Sequence, residues 1–308
     1  MTHITIGSRG SQLALWQSRW VASELQQRGF TTSIEIIKTT GDKITGVPLS
    51  QVGTKGLFTK ELEEALLDGS IDIAVHSLKD MPTELPAGLA IAATPAREDA
   101  RDAIIGKPLA ELPHGARVGT SSLRRTAQLR QVRPDLIIES VRGNLDTRLR
   151  KLDEGQYDAI LLAAAGLRRL GWADRIAELL PIETMCPAVG QGALAIEACA
   201  EPAGADPSPA MQACLALEDP ATRAAITAER ALLATLGGGC QVPIGAYATV
   251  EGGLLHLRAV VVAPDGKSAP MVCTLSGPVT EAAELGRQAG EQLLAEGADD
   301  ILEAVYGA

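Results

Sequence analysis

The stretch that decides the fold class runs from Ile71 to Pro82 and reads IDIAVHSLKDMP. Its first five residues form a short and largely apolar run, which is typical of a strand buried inside a sheet. The polar residues after it lie just past the carboxyl end of the strand, where open α/β sheets place their ligands. Lys79 and Asp80 are therefore a candidate acid/base or charge-stabilising pair. The alternative is a solvated turn before the proline.

A strand followed by hydroxyl groups and a helix also opens the chain. The strand covers residues 3–7, the turn is Ser8-Arg9-Gly10-Ser11, and a helical pattern runs from Gln12 to Gln27. A helix start of this kind offers backbone N–H groups and the positive end of the helix dipole to an anion. Arg9 adds a bidentate fork for a carboxylate. Plain N-capping by Ser8 or Ser11 is the alternative.

The same order of strand, hydroxyl groups and helix returns in the middle of the chain. Residues 117–119 form a strand that leads to Thr120-Ser121-Ser122 and a helix over 123–132. Further strands at 136–139 and 159–163 are followed by arginines as well. We expect these arginines to converge on one crevice, so the two halves predict a cleft lined from both sides, with a solvated basic face as the alternative. The arginines are Arg124, Arg125, Arg142, Arg148 and Arg169.

Composition and charge argue against several classes of function. With 308 residues, of which 46% are hydrophobic and 21% charged, the chain is typical of a soluble globular protein of two or three domains. Aromatic residues make up only 3%, which argues against stacking on nucleic-acid bases. The net charge of −10 argues against binding a large polyanion, yet residues 117–175 contain 12 basic and 7 acidic residues. Such a local basic field favours a small anionic ligand.

The cysteines and histidines indicate neither a metal site nor a disulfide framework. The five cysteines are odd in number and show no CxxC spacing, and the four histidines lack metal-binding spacing. No run approaches the roughly 18 apolar residues of a membrane span, and the N-terminus lacks a basic segment followed by an apolar one. We therefore expect a cytoplasmic protein without a metal, membrane or nucleic-acid partner.

One cysteine lies in an unusual loop, Leu236–Gly245, which reads LGGGCQVPIG. Three consecutive glycines disfavour helix and strand, and Pro243 prevents a continued helix. Cys240 therefore lies on an open loop with room beside its sulfur, although a loop cysteine without a role is the alternative. A long helix predicted over 221–236 precedes this loop, and three strand patterns and a final helix follow it. This order predicts a small α+β domain.

These segments together resemble one family, hydroxymethylbilane synthase, which is also called porphobilinogen deaminase. Each segment is weakly informative alone, but all of them occur in order along nearly the whole chain. Gly237 stands where the family usually has glutamate, and Gln12 stands where proline is common. We expect Gly237 to loosen the cysteine loop without abolishing function. The segments that carry the resemblance are residues 13–17 (LALWQ), 56–62 (GLFTKEL), 75–82 (VHSLKDMP), 119–125 (GTSSLRR), 142–144 (RGN), 187–192 (PAVGQG) and 238–245 (GGCQVPIG).

The resemblance implies an α/β fold with two lobes like those of type II periplasmic binding proteins, built on mixed doubly wound sheets, and a small α+β C-terminal domain. Domain 1 would comprise residues 1–96 and 190–215, domain 2 residues 97–189, and domain 3 residues 216–308. It also implies a monomer that joins four porphobilinogen molecules head to tail, with loss of ammonia, on a dipyrromethane bound through a thioether to Cys240. Water then releases linear hydroxymethylbilane.

The resemblance also assigns roles to individual side chains. Asp80 would be the catalytic residue, which stabilises a cationic azafulvene and exchanges protons. The acetate and propionate groups of the pyrrole rings would bind to arginine forks, hydroxyl groups and lysines. The residues assigned to cofactor and substrate binding are Arg9, Ser11, Lys55, Lys79, Thr120, Ser122, Arg124, Arg125, Arg142, Gly143, Arg148, Arg169 and Gln191.

Two other classes of protein share part of this pattern. A non-catalytic two-lobed binding protein for a small polycarboxylate would explain the basic cleft, but it would not explain the cysteine loop. A transcriptional effector-binding module has two lobes as well, but no helix-turn-helix segment precedes them in this sequence. A pyrrole bound covalently to the purified protein would discriminate the three classes.

Overall fold

The computed structural model describes residues 2–43, 57–202, 204–239 and 242–306. The chain divides into two compact units. The first unit comprises Met1–Arg97 and Ala193–Arg223, and the second comprises Glu98–Gly192 and Ala224–Ala308. The sequence-based division into three domains stays a prediction.

Strands and helices alternate along most of the chain. In chain order the strands are β1 (His3–Ser8), β2 (Thr31–Ile36), β3 (Ile73–Ser77), β4 (Leu89–Ala93), β5 (Asp102–Ile105), β6 (Arg117–Gly119), β7 (Ile137–Glu139), β8 (Ala159–Ala163), β9 (Ile176–Leu179), β10 (Leu194–Cys199), β11 (Ile244–Glu251), β12 (Leu254–Val261) and β13 (Met271–Pro278). The helices are α1 (Gln12–Gln27), α2 (Thr40–Lys43), α3 (Lys60–Leu67), α4 (Leu123–Val132), α5 (Leu145–Asp153), α6 (Ala164–Arg169), α7 (Pro209–Leu215), α8 (Pro220–Thr235), α9 (Ala282–Ala295) and α10 (Ala298–Tyr306).

The first unit is built on a five-stranded sheet with the order β2-β1-β3-β10-β4. β1 is parallel to β2 and β3, whereas β10 is antiparallel to β3 and β4. Parallel neighbours need crossover connections, which α1 and α3 provide here. Because β1 and β3 are parallel neighbours, the residues that follow Ser8 and Ser77 meet at one edge of the sheet. The apolar side chains of Ile4, Ile6 and Ile73 fill the core that holds these strands in place.

The second unit contains a five-stranded sheet with the order β7-β6-β8-β5-β9, which repeats the pattern of the first sheet. β6 is parallel to β7 and β8, and β5 is antiparallel to β8 and β9. The arginine-bearing segments after β6, β7 and β8 therefore start at one edge of the sheet. The sequence patterns did not predict β5 or β9, since each has only four residues and β5 begins with the charged Asp102.

The last part of the second unit is an antiparallel sheet with the order β11-β12-β13, as the alternating pattern predicts. α8 and α9 pack with it around a core that contains Leu257, Ala289 and Leu293. Gly286 lets α9 approach α8 closely, because a Cβ atom at this position would collide with the backbone oxygen of Ala228. The two mixed sheets and this small antiparallel sheet with its helices confirm the predicted fold class, α/β with a small α+β C-terminal part.

Candidate functional site

The first unit contains a small cavity at the edge where β1 and β3 end. Its volume is about 70 Å³. Arg9 and Ser11 come from the turn after β1, and His76, Ser77 and Asp80 come from the end of β3 and the turn that follows. The structure therefore brings Arg9, Ser11 and Asp80 together, as sequence reasoning predicts. The other lining residues are Leu13, Ala14, Gln17, Phe58, Thr59 and Val75.

Asp80 ends a short 3-10 turn, Leu78–Asp80, that follows β3 directly. Leu78 and Met81 are buried on either side of it, and the amide of Met81 donates a hydrogen bond to the backbone oxygen of Leu78 (3.0 Å). Asp80 itself is exposed at the cavity. A turn that is anchored at both ends and exposed at its tip holds the carboxylate where the N–H group of a ligand can reach it.

Arg9 stacks on an aromatic ring. Its guanidinium carbon lies 4.1 Å from the centre of the Phe58 ring, which is a cation–π contact. Stacking on the ring fixes the plane of the guanidinium, and with it the direction in which its N–H groups donate. The hydroxyl of Ser11 accepts a hydrogen bond from the amide of Ala14 (3.3 Å) and thereby caps α1. Ser11 is therefore the N-cap of α1, which is the alternative that the sequence analysis left open for this residue.

The predicted lysines are not part of the described cavity. Lys79 is half-buried and does not line it, and Lys55 lies outside the described residues. Conversely, sequence reasoning did not select Phe58 or His76 as site residues. Both lie inside the segments that carry the family resemblance, so a signal for them was present. Position within such a segment does not show whether a side chain faces a ligand or the core.

In the second unit, Arg124 and Arg125 share one buried carboxylate. The Nη1 atom of Arg124 lies 2.7 Å from Oδ2 of Asp102, and the Nη2 atom of Arg125 lies 2.7 Å from Oδ1. The side-chain amide of Gln191 donates to Oδ1 as well (2.9 Å). Asp102 is 0% exposed. Burial by itself raises the pKa of this carboxyl, but the charges of the two arginines outweigh it and hold the pKa well below its usual range.

We refer to Asp102, Arg124, Arg125 and Gln191 as the Asp102 cluster. Arg124, Arg125 and Gln191, which the sequence analysis assigns to ligand binding, donate hydrogen bonds to the buried carboxylate of Asp102. Sequence reasoning did not select Asp102, which starts β5 22 residues before Arg124 along the chain. The binding roles of Arg124, Arg125 and Gln191 stay predictions.

The predicted hydroxyl groups of the second unit hold the turn before α4. The hydroxyl oxygen of Thr120 accepts from the amide of Ser122 (3.2 Å), and the hydroxyl oxygen of Ser122 accepts from the amide of Arg125 (3.4 Å). Ser122 is thereby the N-cap of α4. These contacts define the shape of the turn, and the proposed binding of a ligand by the two hydroxyls stays a prediction.

The remaining predicted residues of the second unit follow β7 and β8. Gly143 has a φ of 105°, in the left-handed region that favours glycine, and its carbonyl accepts from Nε of Arg148 (2.8 Å). Arg142 is half-buried. Arg169 is 9% exposed, and its Nη2 donates to the backbone oxygen of Gly192 (2.7 Å). Burial lowers the pKa of Arg169 to about 10, so this guanidinium is still cationic at neutral pH.

Comparison with known proteins gives consistent matches along the chain. The model of "porphobilinogen deaminase, dipyromethane cofactor binding domain" matches residues 4–205, and that of "porphobilinogen deaminase, C-terminal domain" matches residues 223–295. The porphobilinogen deaminase of Geobacter metallireducens is 52% identical over 307 residues, which is 98% of this chain and 95% of that protein. The chain belongs to the porphobilinogen deaminase family. The porphobilinogen deaminase of Geobacter sulfurreducens is 50% identical over 310 residues, with coverage of 99% and 96%.

Solved structures of other proteins show a more distant likeness to this member of the porphobilinogen deaminase family. The lipoprotein Tp32 from Treponema pallidum has a TM-score of 0.45 and 13% identity, and the match covers 70% of this chain and 90% of that chain. This likeness concerns the fold alone.

The cysteine expected to carry the cofactor of a porphobilinogen deaminase, Cys240, lies outside the described residues. The end of α8 just before it is described. Gly237 has a φ of 63°, and the amide of Gly238 donates to the backbone oxygen of Leu233 (3.0 Å). Helices commonly end with a glycine in the left-handed conformation and with a hydrogen bond of this kind. The glycine at position 237, where the family usually has glutamate, therefore has a local structural reason. The predicted loosening of the loop is not tested by these contacts.

Three other cysteines of this porphobilinogen deaminase family member are buried. Burial raises the pKa of both Cys186 and Cys214 to about 12, and it raises the pKa of Cys273 as well. Thiols of this kind are protonated at neutral pH and react slowly. Cys199 is exposed, and its Sγ lies 3.2 Å from the backbone oxygen of Leu66.

Within residues 2–43, 57–202, 204–239 and 242–306, no group of three His, Cys, Asp or Glu side chains could hold a metal ion. Among the helices of the same ranges, none is both long enough and apolar enough to cross a bilayer.

Proposed function

We propose that this chain is a hydroxymethylbilane synthase, which joins four porphobilinogen molecules head to tail with loss of ammonia and then releases linear hydroxymethylbilane by hydrolysis. The observation that carries the proposal is the cavity at the end of β3, where the exposed carboxylate of Asp80 and the stacked guanidinium of Arg9 line one space. A pyrrole unit has one ring N–H group, which needs an acceptor such as a carboxylate, and two carboxylates, which need donors such as a guanidinium. The dipyrromethane, held through a thioether to Cys240, supplies the pyrrole ring on which the product is extended.

Asp80 is proposed to be the catalytic residue. When ammonia leaves the aminomethyl group of porphobilinogen, the carbon–nitrogen bonding pair leaves with nitrogen and the substrate becomes a cationic azafulvene. A carboxylate that accepts a hydrogen bond from the pyrrole N–H stabilises this positive charge through both the hydrogen bond and its own charge. The anchored 3-10 turn supports this role, because it presents the carboxylate without a large rearrangement.

The carboxylates of the substrate are proposed to bind to basic and hydroxyl side chains of both units. In the first unit, Phe58 supports this role for Arg9, since the stacked guanidinium is already oriented before a ligand arrives. In the second unit, the surplus of basic residues over 117–175 supports it. The proposed binding residues are Arg9, Ser11, Lys55, Lys79, Thr120, Ser122, Arg124, Arg125, Arg142, Gly143, Arg148, Arg169 and Gln191. A monomeric state and a cytoplasmic location remain predictions.

Intact-protein mass spectrometry combined with a porphobilinogen consumption assay tests the proposal. Protein from cells supplied with porphobilinogen should carry an excess mass of two linked pyrrole units, which Cys240→Ser removes and the control Cys199→Ser retains. Asp80→Ala should fold normally, since Asp80 is exposed, and should lose about 100-fold or more in turnover. A bare polypeptide mass for the unsubstituted protein would refute the cofactor assignment, and near-normal turnover of Asp80→Ala would refute the catalytic role of Asp80.

A further inference from the structure

Behind the cavity of the first unit lies a buried pair of titratable side chains, His76 and Glu197. Nε2 of His76 lies 3.0 Å from Oε2 of Glu197. The two residues are 6% and 0% exposed, and they come from the neighbouring antiparallel strands β3 and β10. A histidine and a carboxylate are rarely buried together in an apolar core without a specific reason, because desolvation of their charges is unfavourable.

A third titratable group adjoins this pair. Glu63 of α3 is 7% exposed and lies close enough to His76 and Glu197 to interact with both electrostatically. Burial raises the pKa of Glu63, and the charge of Glu197 raises it further, so Glu63 holds its proton to higher pH than an exposed glutamate. Two carboxylates and one imidazole in a single desolvated region form a group that can hold and pass on a proton.

His76 is also one of the residues that line the cavity, so this buried group adjoins the cavity. Its Nε2 is occupied by Glu197. A carboxylate at this nitrogen favours the tautomer with the proton on Nε2, which leaves Nδ1 as a proton acceptor. In many acid–base sites, a carboxylate holds one nitrogen of a histidine while the other nitrogen acts as the base. Asp80 and Arg9 line the same cavity.

The proposed reaction needs more than one proton-handling group. In each coupling, the free α-carbon of a pyrrole forms a carbon–carbon bond with the electrophilic methylene of the next unit. That α-carbon must then release its proton, so that the C–H electron pair returns to the ring and restores its aromaticity. Asp80 is occupied by hydrogen bonds from pyrrole N–H groups when the azafulvene is present. A second base would therefore receive the α-proton, which finally leaves with ammonia as ammonium.

We propose that His76, oriented by Glu197, is a second proton-transfer group of the Asp80 cavity, and that Glu197 is its positioning residue. This inference rests on the proposed function. The alternative is that the pair is only a structural connection between β3 and β10. The charged and titratable groups that face this region are Glu197 and Glu63, which adjoin His76, and Arg9 and Asp80, which line the same cavity.

The first test uses His76→Gln, Glu197→Gln and the double variant. Each protein is produced with the dipyrromethane attached, and intact-protein mass spectrometry verifies the attachment. The double variant avoids leaving a buried charge without a partner, so it keeps the test interpretable if a single variant unfolds. We expect His76→Gln to lower kcat about 100-fold and Glu197→Gln about 10-fold, with KM little changed. His256, a half-buried histidine of β12 that is hydrogen-bonded to Ser276, gives the matched control His256→Asn, which should keep normal turnover.

The second readout is an isotope effect. With porphobilinogen deuterated at its free α-carbon, loss of the base makes proton removal slower, so the kinetic isotope effect on kcat should be larger in His76→Gln and in the double variant than in the unsubstituted protein. A structural connection would lower activity without enlarging the isotope effect, and that result would overturn the proposal. Normal kcat in a folded His76→Gln or double variant would overturn it as well.

The third readout does not depend on turnover. The chain has four histidines, so the ring nitrogens of His76 can be assigned by NMR of protein labelled with ¹⁵N-histidine. The unsubstituted protein should show a protonated Nε2 and an unprotonated Nδ1, and Glu197→Gln should lose this preference. The opposite tautomer in the unsubstituted protein would refute the orientation by Glu197. If the unsubstituted protein lacks both the pyrrole mass and turnover, the proposed function itself has failed, which is distinguishable from failure of the His76 variants alone.

Discussion

Replacing Asp102 by asparagine is expected to destabilise the second unit strongly, because Asp102 is the shared counter-ion of two buried arginines. The carboxylate is fully buried, and it lies 2.7 Å from a guanidinium nitrogen of Arg124 and 2.7 Å from one of Arg125. Asp102→Asn keeps the size of the side chain and removes its charge. The two guanidinium groups then remain in the interior without their anion.

The expected magnitude follows from burial. Removal of one partner from a buried ion pair lowers the free energy of unfolding by about 3–5 kcal/mol, because the remaining charge cannot return to water. For a folded unit of this size, that corresponds to a fall in melting temperature of about 6–20 °C. An exposed pair would contribute much less, because water and salt screen it.

The pH dependence provides a further check. The arginines hold the pKa of Asp102 below the unfolded value of about 3.9. A carboxyl whose pKa is lower in the folded state stabilises the protein above its unfolded pKa, and this contribution is lost as the pH falls through the folded pKa. The difference in unfolding free energy between the two proteins should therefore be complete above a pH of about 5 and decrease below about 4.

Urea and thermal unfolding followed by circular dichroism measure both quantities. The control is Asp135→Asn, which removes a carboxylate that also lies 2.7 Å from an arginine, Arg133, but whose pair is closer to the surface, with side chains 21% and 18% exposed. If Asp102→Asn shifts the melting temperature no more than Asp135→Asn does, the Asp102 cluster is not the buried charge centre that its geometry indicates.

Two more changes test the part of the second unit around α8. Glu229 is 0% exposed and accepts hydrogen bonds from the amides of Gly190 (2.7 Å) and Ala248 (2.8 Å), so Glu229→Gln, which has one acceptor oxygen instead of two, should lower the unfolding free energy by about 1–3 kcal/mol. Hydrogen exchange should become faster at one of these two amides, and unchanged exchange at both would contradict the assignment. Gly286→Ala should lower the unfolding free energy by about 1–3 kcal/mol, because its Cβ would meet the backbone of α8. In Gly277→Ala the new Cβ meets only a leucine side chain at 3.3 Å, and an equal loss in this control would refute the reasoning.

Elements with a strong local signal were predictable from sequence. α1 has the predicted bounds, Gln12–Gln27, because Ser11 caps it and its apolar residues recur with helical spacing. β4, Leu89–Ala93, also has a strong local signal, because it is a short apolar run between turn residues. β5 and β9 were missed because four residues carry too little periodicity, and the seven-residue helix α7 was missed as well.

The site was predictable to the extent that its residues follow the carboxyl ends of strands. Asp80, Arg9 and Ser11 line one cavity because β1 and β3 are parallel neighbours, a pairing that only the structure shows. The same rule selected Arg124 and Arg125 as ligand partners. It could not show that α4 turns both guanidinium groups toward Asp102, since the partner comes from β5.

By itself, the sequence determined the family, the strands and helices that have a strong local signal, and the short segments that supply Asp80 and Cys240, because each of these depends on residues that are close together along the chain. Only the tertiary structure decided which charged side chains neutralise one another. Gln191 and Asp102 are 89 positions apart, and His76 and Glu197 are 121 positions apart. A buried charge is stable only beside a partner that the fold brings to it, and no local pattern specifies which distant residue that partner is.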